Sequence, residues 1–120
     1  MYAAFGRGDI PFILSQLDDN VVWEVEAPAT ISFAGIRRGP SQVVGFFEGI
    51  VKDHNDPKLS ISDVFADGDK VAAFGRYDVT MKSSGKPVSS PVAHFWTFRN
   101  GKVTRYVNYI NTAAFVEAAA

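Results

Sequence analysis

The stretch GRYDVT, Gly75 to Thr80, holds the residue types that could do chemistry. It lies in a run with strand alternation, whose period of two points Arg76 and Asp78 to one face. Two arrangements fit. In the first the two side chains are a solvated cross-strand ion pair, worth less than about 1 kcal/mol. In the second they face a cavity, where Asp78 shuttles a proton while Arg76 fixes the carboxylate and depresses its pKa. The opposite face of the same strand, with Val71, Ala73, Val79 and Met81, is apolar enough to be the core face on pattern alone. His94 shares a strand face with Trp96 and Phe98, so its imidazole is either a neutral core group or a titratable group at a cavity wall. Glu24 and Glu26 lie opposite Trp23 on a short strand, where exposure is the stronger reading for both and a pocket carboxylate the alternative. His54 and His94, the only histidines, sit on elements of different kind without ligand spacing, and no metal is expected.

The elements that must position these groups read as helices first and strands afterwards. Met1 to Phe5 predicts a helical stub ended by Gly6-Arg7-Gly8, and Asp9 caps a second helix that tolerates Pro11 in its first turn. Asp18-Asp19-Asn20 breaks it. Val21 to Glu26 alternates as a short strand, and Ala27 to Gly39 reads as loop. Gly39-Pro40-Ser41 opens a third helix with an apolar stripe of Val43, Phe47, Ile50 and Val51, closed by Asn55-Asp56-Pro57. Four strands follow: Leu59 to Ala66, Val71 to Met81, Val88 to Arg99 and Lys102 to Asn111. Their turns are Asp67-Gly68-Asp69, Ser83-Ser84-Gly85-Lys86 and Asn100-Gly101, the last a strong hairpin signal. Ala113 to Ala120 reads as a short closing helix or fray. This order predicts an α+β domain with helices gathered on one side of a curved sheet.

Composition narrows the function classes. The 120 residues suit one domain, residues 1–120, with a single site. Twelve basic and thirteen acidic residues give a net charge of -1, and no basic cluster exceeds Arg37-Arg38, so no nucleic-acid partner is expected. The absence of cysteine excludes disulfides, thiolate catalysis and Cys-ligated zinc. No apolar run approaches the roughly 20 residues of a membrane span, and no signal-peptide pattern opens the chain, so a soluble cytoplasmic protein is expected. The last two strands carry large apolar groups on both faces: Val92, Trp96 and Phe98 against Phe95, then Tyr106 and Ile110 against Val107 and Tyr109. One face is expected to meet the helices and the other a partner subunit, in a homodimer.

The order of elements, with YAAFGRGDI at 2–10, DDNVVWEVEAP at 18–28, RRGPSQVVGFF at 37–47, FADGDKV at 65–71 and HFWTFRNGKVTRYVNYINTAAF at 94–115, resembles the SnoaL-like polyketide cyclase group of the nuclear transport factor 2-like superfamily. Limonene epoxide hydrolase and ketosteroid isomerase resemble it more distantly. The resemblance covers nearly the whole chain. It implies a conical α+β barrel, with N-terminal helices packed on a strongly bent, mostly antiparallel sheet around an apolar pocket, usually as a homodimer. It also has the chain beginning midway through the family's first helix, without the pocket groups of its earlier turns.

The resemblance carries roles to particular positions. His94 matches the catalytic His of the cyclases, whereas their Asp on the last strand falls on Asn108. Arg76-Tyr77-Asp78 resembles the Arg-x-Asp of limonene epoxide hydrolase, whose further Asp is again replaced by Asn108. Asn108 orients a water or a ligand carbonyl but takes no proton. The ketosteroid isomerase carboxylates would fall near Val25 and Ala93, which disfavours that mechanism. The expected site therefore holds Arg76, Asp78, His94 and Asn108 in a cavity walled by Trp23, Phe46, Phe47, Phe74, Trp96, Phe98 and Tyr106. Its expected ligand is a small apolar molecule. The expected activity is cofactor-free acid/base catalysis of cyclase or isomerase type on a carbonyl or polyketide-like compound. Epoxide hydrolysis and non-catalytic ligand binding stand as alternatives.

Overall fold

A computed structural model describes residues 1–119. Helix α1 (Tyr2–Arg7) ends where Gly8 adopts φ 69°, a left-handed conformation that costs glycine little. Asp9 caps α2 (Ile10–Ser15) by accepting from the Phe12 N–H at 3.2 Å, with Pro11 in the first turn. Strands β1 (Leu17–Val25) and β2 (Gly35–Arg38) precede α3 (Pro40–Asp53). The meander follows as β3 (His54–Asp67), β4 (Lys70–Met81), β5 (Pro87–Arg99) and β6 (Lys102–Ile110), and α4 (Thr112–Ala119) closes the described chain. Ala120, the end of the expected closing segment, lies outside the described residues.

The six strands form one strongly curved open sheet in the order β2-β1-β6-β5-β4-β3. Neighbours are antiparallel except β1 and β6, which run parallel with Trp23 opposite Tyr106 and Val25 opposite Asn108. The expected α+β architecture is therefore present. The β5–β6 turn has Asn100 at φ 52° and Gly101 at φ 75°, the two positive values a tight hairpin of matching twist requires. On α3, Val43, Phe46, Phe47 and Ile50 are buried. Against Val21, Trp23 and Val25 of β1, and Val92, Trp96 and Tyr106 of the later strands, they form the core on the helix-bearing face.

Three local readings are corrected. Strand β2 occupies part of the expected loop; four residues paired with Val22–Val25 are too few to announce themselves by alternation. Arg37 holds that region by donating to the Phe33, Ala34 and Ser32 carbonyls at 3.1–3.2 Å, which seats Phe33 in the core at 3% exposure. Asn55-Asp56-Pro57 does not separate helix from strand. β3 already starts at His54, and these residues form a bulge in which Asp56 has φ 51°. Val51, expected on the apolar stripe of α3, is 69% exposed because the buried arc is centred on Phe46 and Phe47.

Candidate functional site

The helices and the curved sheet form a partly open cavity of about 60 Å³, several times the ~10–15 Å³ that a single water needs. Aromatic rings build its wall because the core faces of β1, β5 and β6 converge there. Trp23 stacks on Tyr106 at 3.9 Å between ring centres and meets Phe46 edge-on at 5.4 Å. Trp96 packs on Tyr106 at 4.5 Å. Rings of this size fix the shape of the space through many small contacts.

The polar groups are few and linked. Strand register sets His94 of β5 opposite Asn108 of β6, and both line the cavity at 4% and 7% exposure. The Tyr2 hydroxyl, from α1, lies 2.8 Å from His94 Nδ1 and accepts from Trp96 Nε1 at 3.0 Å. The indole N–H only donates, so the Tyr2 hydroxyl has two settings. It donates to Nδ1, leaving the ring hydrogen on Nε2, or it accepts from an Nδ1–H, leaving Nε2 a free base. Either setting is available without moving a heavy atom.

Burial pushes His94 down to about 4 and Tyr2 up to about 12, the latter opposed by the Trp96 hydrogen bond. Burial, with the nearby Tyr2 phenol, raises Tyr106 well above its ordinary value. Tyr77 is raised by burial too, and its hydroxyl lies 2.9 Å from Nδ1 of the buried His54. That second pair is clasped by Phe33 and Phe115, with His54 5.3 and 5.8 Å from their ring centres. The His54 ring is lowered by burial, with Asp53 opposing. No Asp, Glu, Lys or Arg side chain is among the residues lining the cavity. Two buried polar atoms have no hydrogen-bond partner among the described residues: Trp23 Nε1 and Asn108 Oδ1.

Of the expected site residues, the fold brings His94, Asn108, Trp23, Phe46, Phe47, Trp96 and Tyr106 to one cavity. It places Arg76, Asp78, Phe74 and Phe98 elsewhere, which corrects that expectation. Ala73, Tyr77, Val79 and Met81 are buried, so the core takes the odd-numbered face of β4 and the even-numbered side chains point outward. Arg76 is exposed and donates to Ser89 Oγ at 3.0 Å. Asp78 is half-buried, and among the described residues no ion pair joins it to Arg76. Phe74, 42% exposed, meets Phe65 across the outer face at 6.0 Å. Phe98 follows a register shift in β5 and stacks on Trp96 at 6.5 Å without lining the cavity.

Glu24 pairs with Arg105 at 3.2 Å and is no cavity acid, while Glu26 is exposed. Sequence reasoning missed Tyr2 and Tyr77. The helical spacing of Tyr2 and Phe5 was a legible signal for the first, and the second shares the apolar face of β4.

A model of the SnoaL-like domain family matches residues 1–106. No curated protein matches the chain. Among solved structures, an NTF2-like protein of unknown function from Burkholderia pseudomallei superposes with TM-score 0.92 at 22% identity, over 99% of this chain and 91% of that one. TerC, co-crystallised with polyporic acid, gives 0.86 at 28% identity over 98% and 91%. A candidate SnoaL-like polyketide cyclase from Jannaschia sp. CCS1 gives 0.80 at 15% identity over 92% and 78%.

Proposed function

The chain belongs to the SnoaL-like domain family, and from that premise we propose that it binds an uncharged, largely apolar carbonyl compound in its cavity and moves a proton on it without a cofactor. The observation that carries this reading is the hydrogen-bonded chain Trp96–Tyr2–His94 at the wall of a largely apolar cavity. A neutral imidazole whose one nitrogen is tied to Tyr2 presents the other as donor or acceptor, according to the setting of the Tyr2 hydroxyl. His94 is the proton carrier, Tyr2 and Trp96 position it, and Asn108 orients the ligand. Co-crystallisation of a 28% identical protein with polyporic acid supports a small organic ligand.

The test is deuterium incorporation from heavy water into a panel of enolisable aryl ketones, followed by proton NMR. The protein should catalyse exchange, and His94→Gln should slow it by on the order of 10²-fold or more. Absence of exchange across the panel, with ligands bound, refutes catalysis. A non-catalytic binding module is the second reading, favoured by the low pKa of His94 and the lack of a cavity carboxylate. Epoxide hydrolysis has the least support, since Arg76 and Asp78 lie on the outer face of β4.

The assembly we propose is a homodimer through that outer face, where Phe65, Phe74 and Tyr109 are 63%, 42% and 51% exposed beside the half-buried Phe95. A face of this character matches the apolar centre of an interface burying on the order of 1,200–2,000 Å² in total. No helix among the described residues is long and apolar enough to cross a membrane.

A further inference from the structure

Buried hydrogen-bonding groups almost always have partners, so those that lack one at a cavity wall point to a partner from outside the chain, a water or a ligand. Trp23 Nε1 is a donor without an acceptor, and Asn108 Oδ1 is an acceptor without a donor. Both residues are more than nine-tenths buried, at 2% and 7% exposure, and both line the cavity. They belong to adjacent parallel strands. Trp23 is opposite Tyr106 and Val25 opposite Asn108, so the two polar side chains stand two register steps apart on the core face, flanking the Tyr106 ring. The Tyr106 hydroxyl also makes no hydrogen bond among the described residues and is not one of the occluded atoms. These three groups belong to β1 and β6, separate from the Trp96–Tyr2–His94 chain of β5 and α1.

We infer that Trp23, Asn108 and Tyr106 form a specificity edge that selects an uncharged ligand carrying a carbonyl beside a hydroxyl, the carbonyl accepting from Trp23 Nε1 and the hydroxyl donating to Asn108 Oδ1. This rests on the cavity-binding reading above and adds to it the ligand's functional groups. A ligand with an acceptor alone leaves the Asn108 oxygen unpaired, and a hydrocarbon leaves both atoms unpaired. A carboxylate is disfavoured, because no Lys or Arg side chain lines the cavity and a buried unpaired charge is far more costly than an unpaired dipole. Selection by unpaired groups discriminates more strongly than selection by shape, since the wrong ligand strands the site's own polar atoms.

The probes are four compounds on one bicyclic frame: indane, 1-indanone, 2-hydroxy-1-indanone and indane-1-carboxylate. The protein has two tryptophans, Trp23 and Trp96, and both line the cavity, so intrinsic fluorescence reports its occupancy, with calorimetry as the independent measure. The expected order of affinity is 2-hydroxy-1-indanone first, about tenfold or more ahead of indane, with 1-indanone between them and the carboxylate weakest. Asn108→Leu, which removes both amide functions at similar volume, should lower affinity for 2-hydroxy-1-indanone by about tenfold and leave indane within about twofold. Trp23→Phe should do the same, read from Trp96.

If indane and 2-hydroxy-1-indanone bind equally, or if the carboxylate binds best, the specificity edge is overturned while the cavity reading stands. If both variants weaken indane as much as the hydroxyketone, the residues act through packing alone and the inference fails. If none of the four compounds binds, the cavity reading and the edge fall together. The ranking on the unaltered protein decides the matter even where a variant does not fold.

Discussion

Protonating His94 should destabilise the protein, and the size of the effect follows from its surroundings. The ring is 4% exposed, packed near Tyr2, Trp96 and Tyr106, and burial lowers its pKa from 6.5 to about 4. A histidine whose folded pKa lies below its unfolded value binds its proton more readily in the unfolded chain. It therefore leaves stability untouched above about pH 7.5 and removes stability as pH falls from about 6.5 towards 4. Each pKa unit corresponds to about 1.4 kcal/mol, so the loss reaches about 2 kcal/mol at pH 5 and about 3 kcal/mol at pH 4.

That is a large fraction of the roughly 5–15 kcal/mol of a typical domain. His54 is lowered by burial as well and contributes in the same direction. The comparison must therefore be between the parent protein and His94→Gln, whose side chain still offers an acceptor to Tyr2. Urea denaturation at steps from pH 7.5 to 4.5 gives the two stability curves. The parent should lose about 2 kcal/mol more than the variant between pH 7.5 and pH 5. Parallel curves would refute a desolvated, neutral His94, and with it the electrostatic description of the cavity.

Phe115→Ala should cost about 3–5 kcal/mol in denaturant unfolding, because the ring is 1% exposed among Phe33, His54 and Tyr77 and its removal opens a cavity under α4. Gly75→Ala should destabilise by more than about 2 kcal/mol or prevent folding, since its Cβ would be forced against the Ser60 carbonyl of β3 next to a bulge; circular dichroism melts check this. Arg76→Ala and Asp78→Asn should each change stability by less than about 1 kcal/mol and leave ligand affinity unchanged by fluorescence titration, the outcome their outward position requires. Phe74→Glu combined with Tyr109→Glu should convert the proposed dimer to a monomer in sedimentation, without loss of the far-ultraviolet circular dichroism of the fold.

The local grammar of the sequence determined much of this protein. Gly8 after α1, Asp9 before α2, Pro40 at the start of α3 and Asn100-Gly101 between β5 and β6 each act through a backbone preference that needs no distant partner. Alternation along β5 likewise put His94 and Trp96 on the apolar face before any contact was known. Pattern alone allowed the odd-numbered face of β4 as the core face while the resemblance drew Arg76 and Asp78 toward a cavity, and tertiary structure decided between the two. The packing of α4 against the odd-numbered face, where Phe115 stacks on Tyr77 with ring centres 6.2 Å apart, shows which was chosen. It also decided the site's polar chemistry. Tyr2 and His94 are 92 positions apart, so nothing in their spacing announces a bond, and Arg37 shows the same dependence by turning an irregular segment into the support that buries Phe33. Local preference sets elements, but the curvature of a six-stranded sheet chooses which side chains converge, and that convergence made an aromatic cavity with two unpaired polar atoms out of residues scattered from β1 to β6.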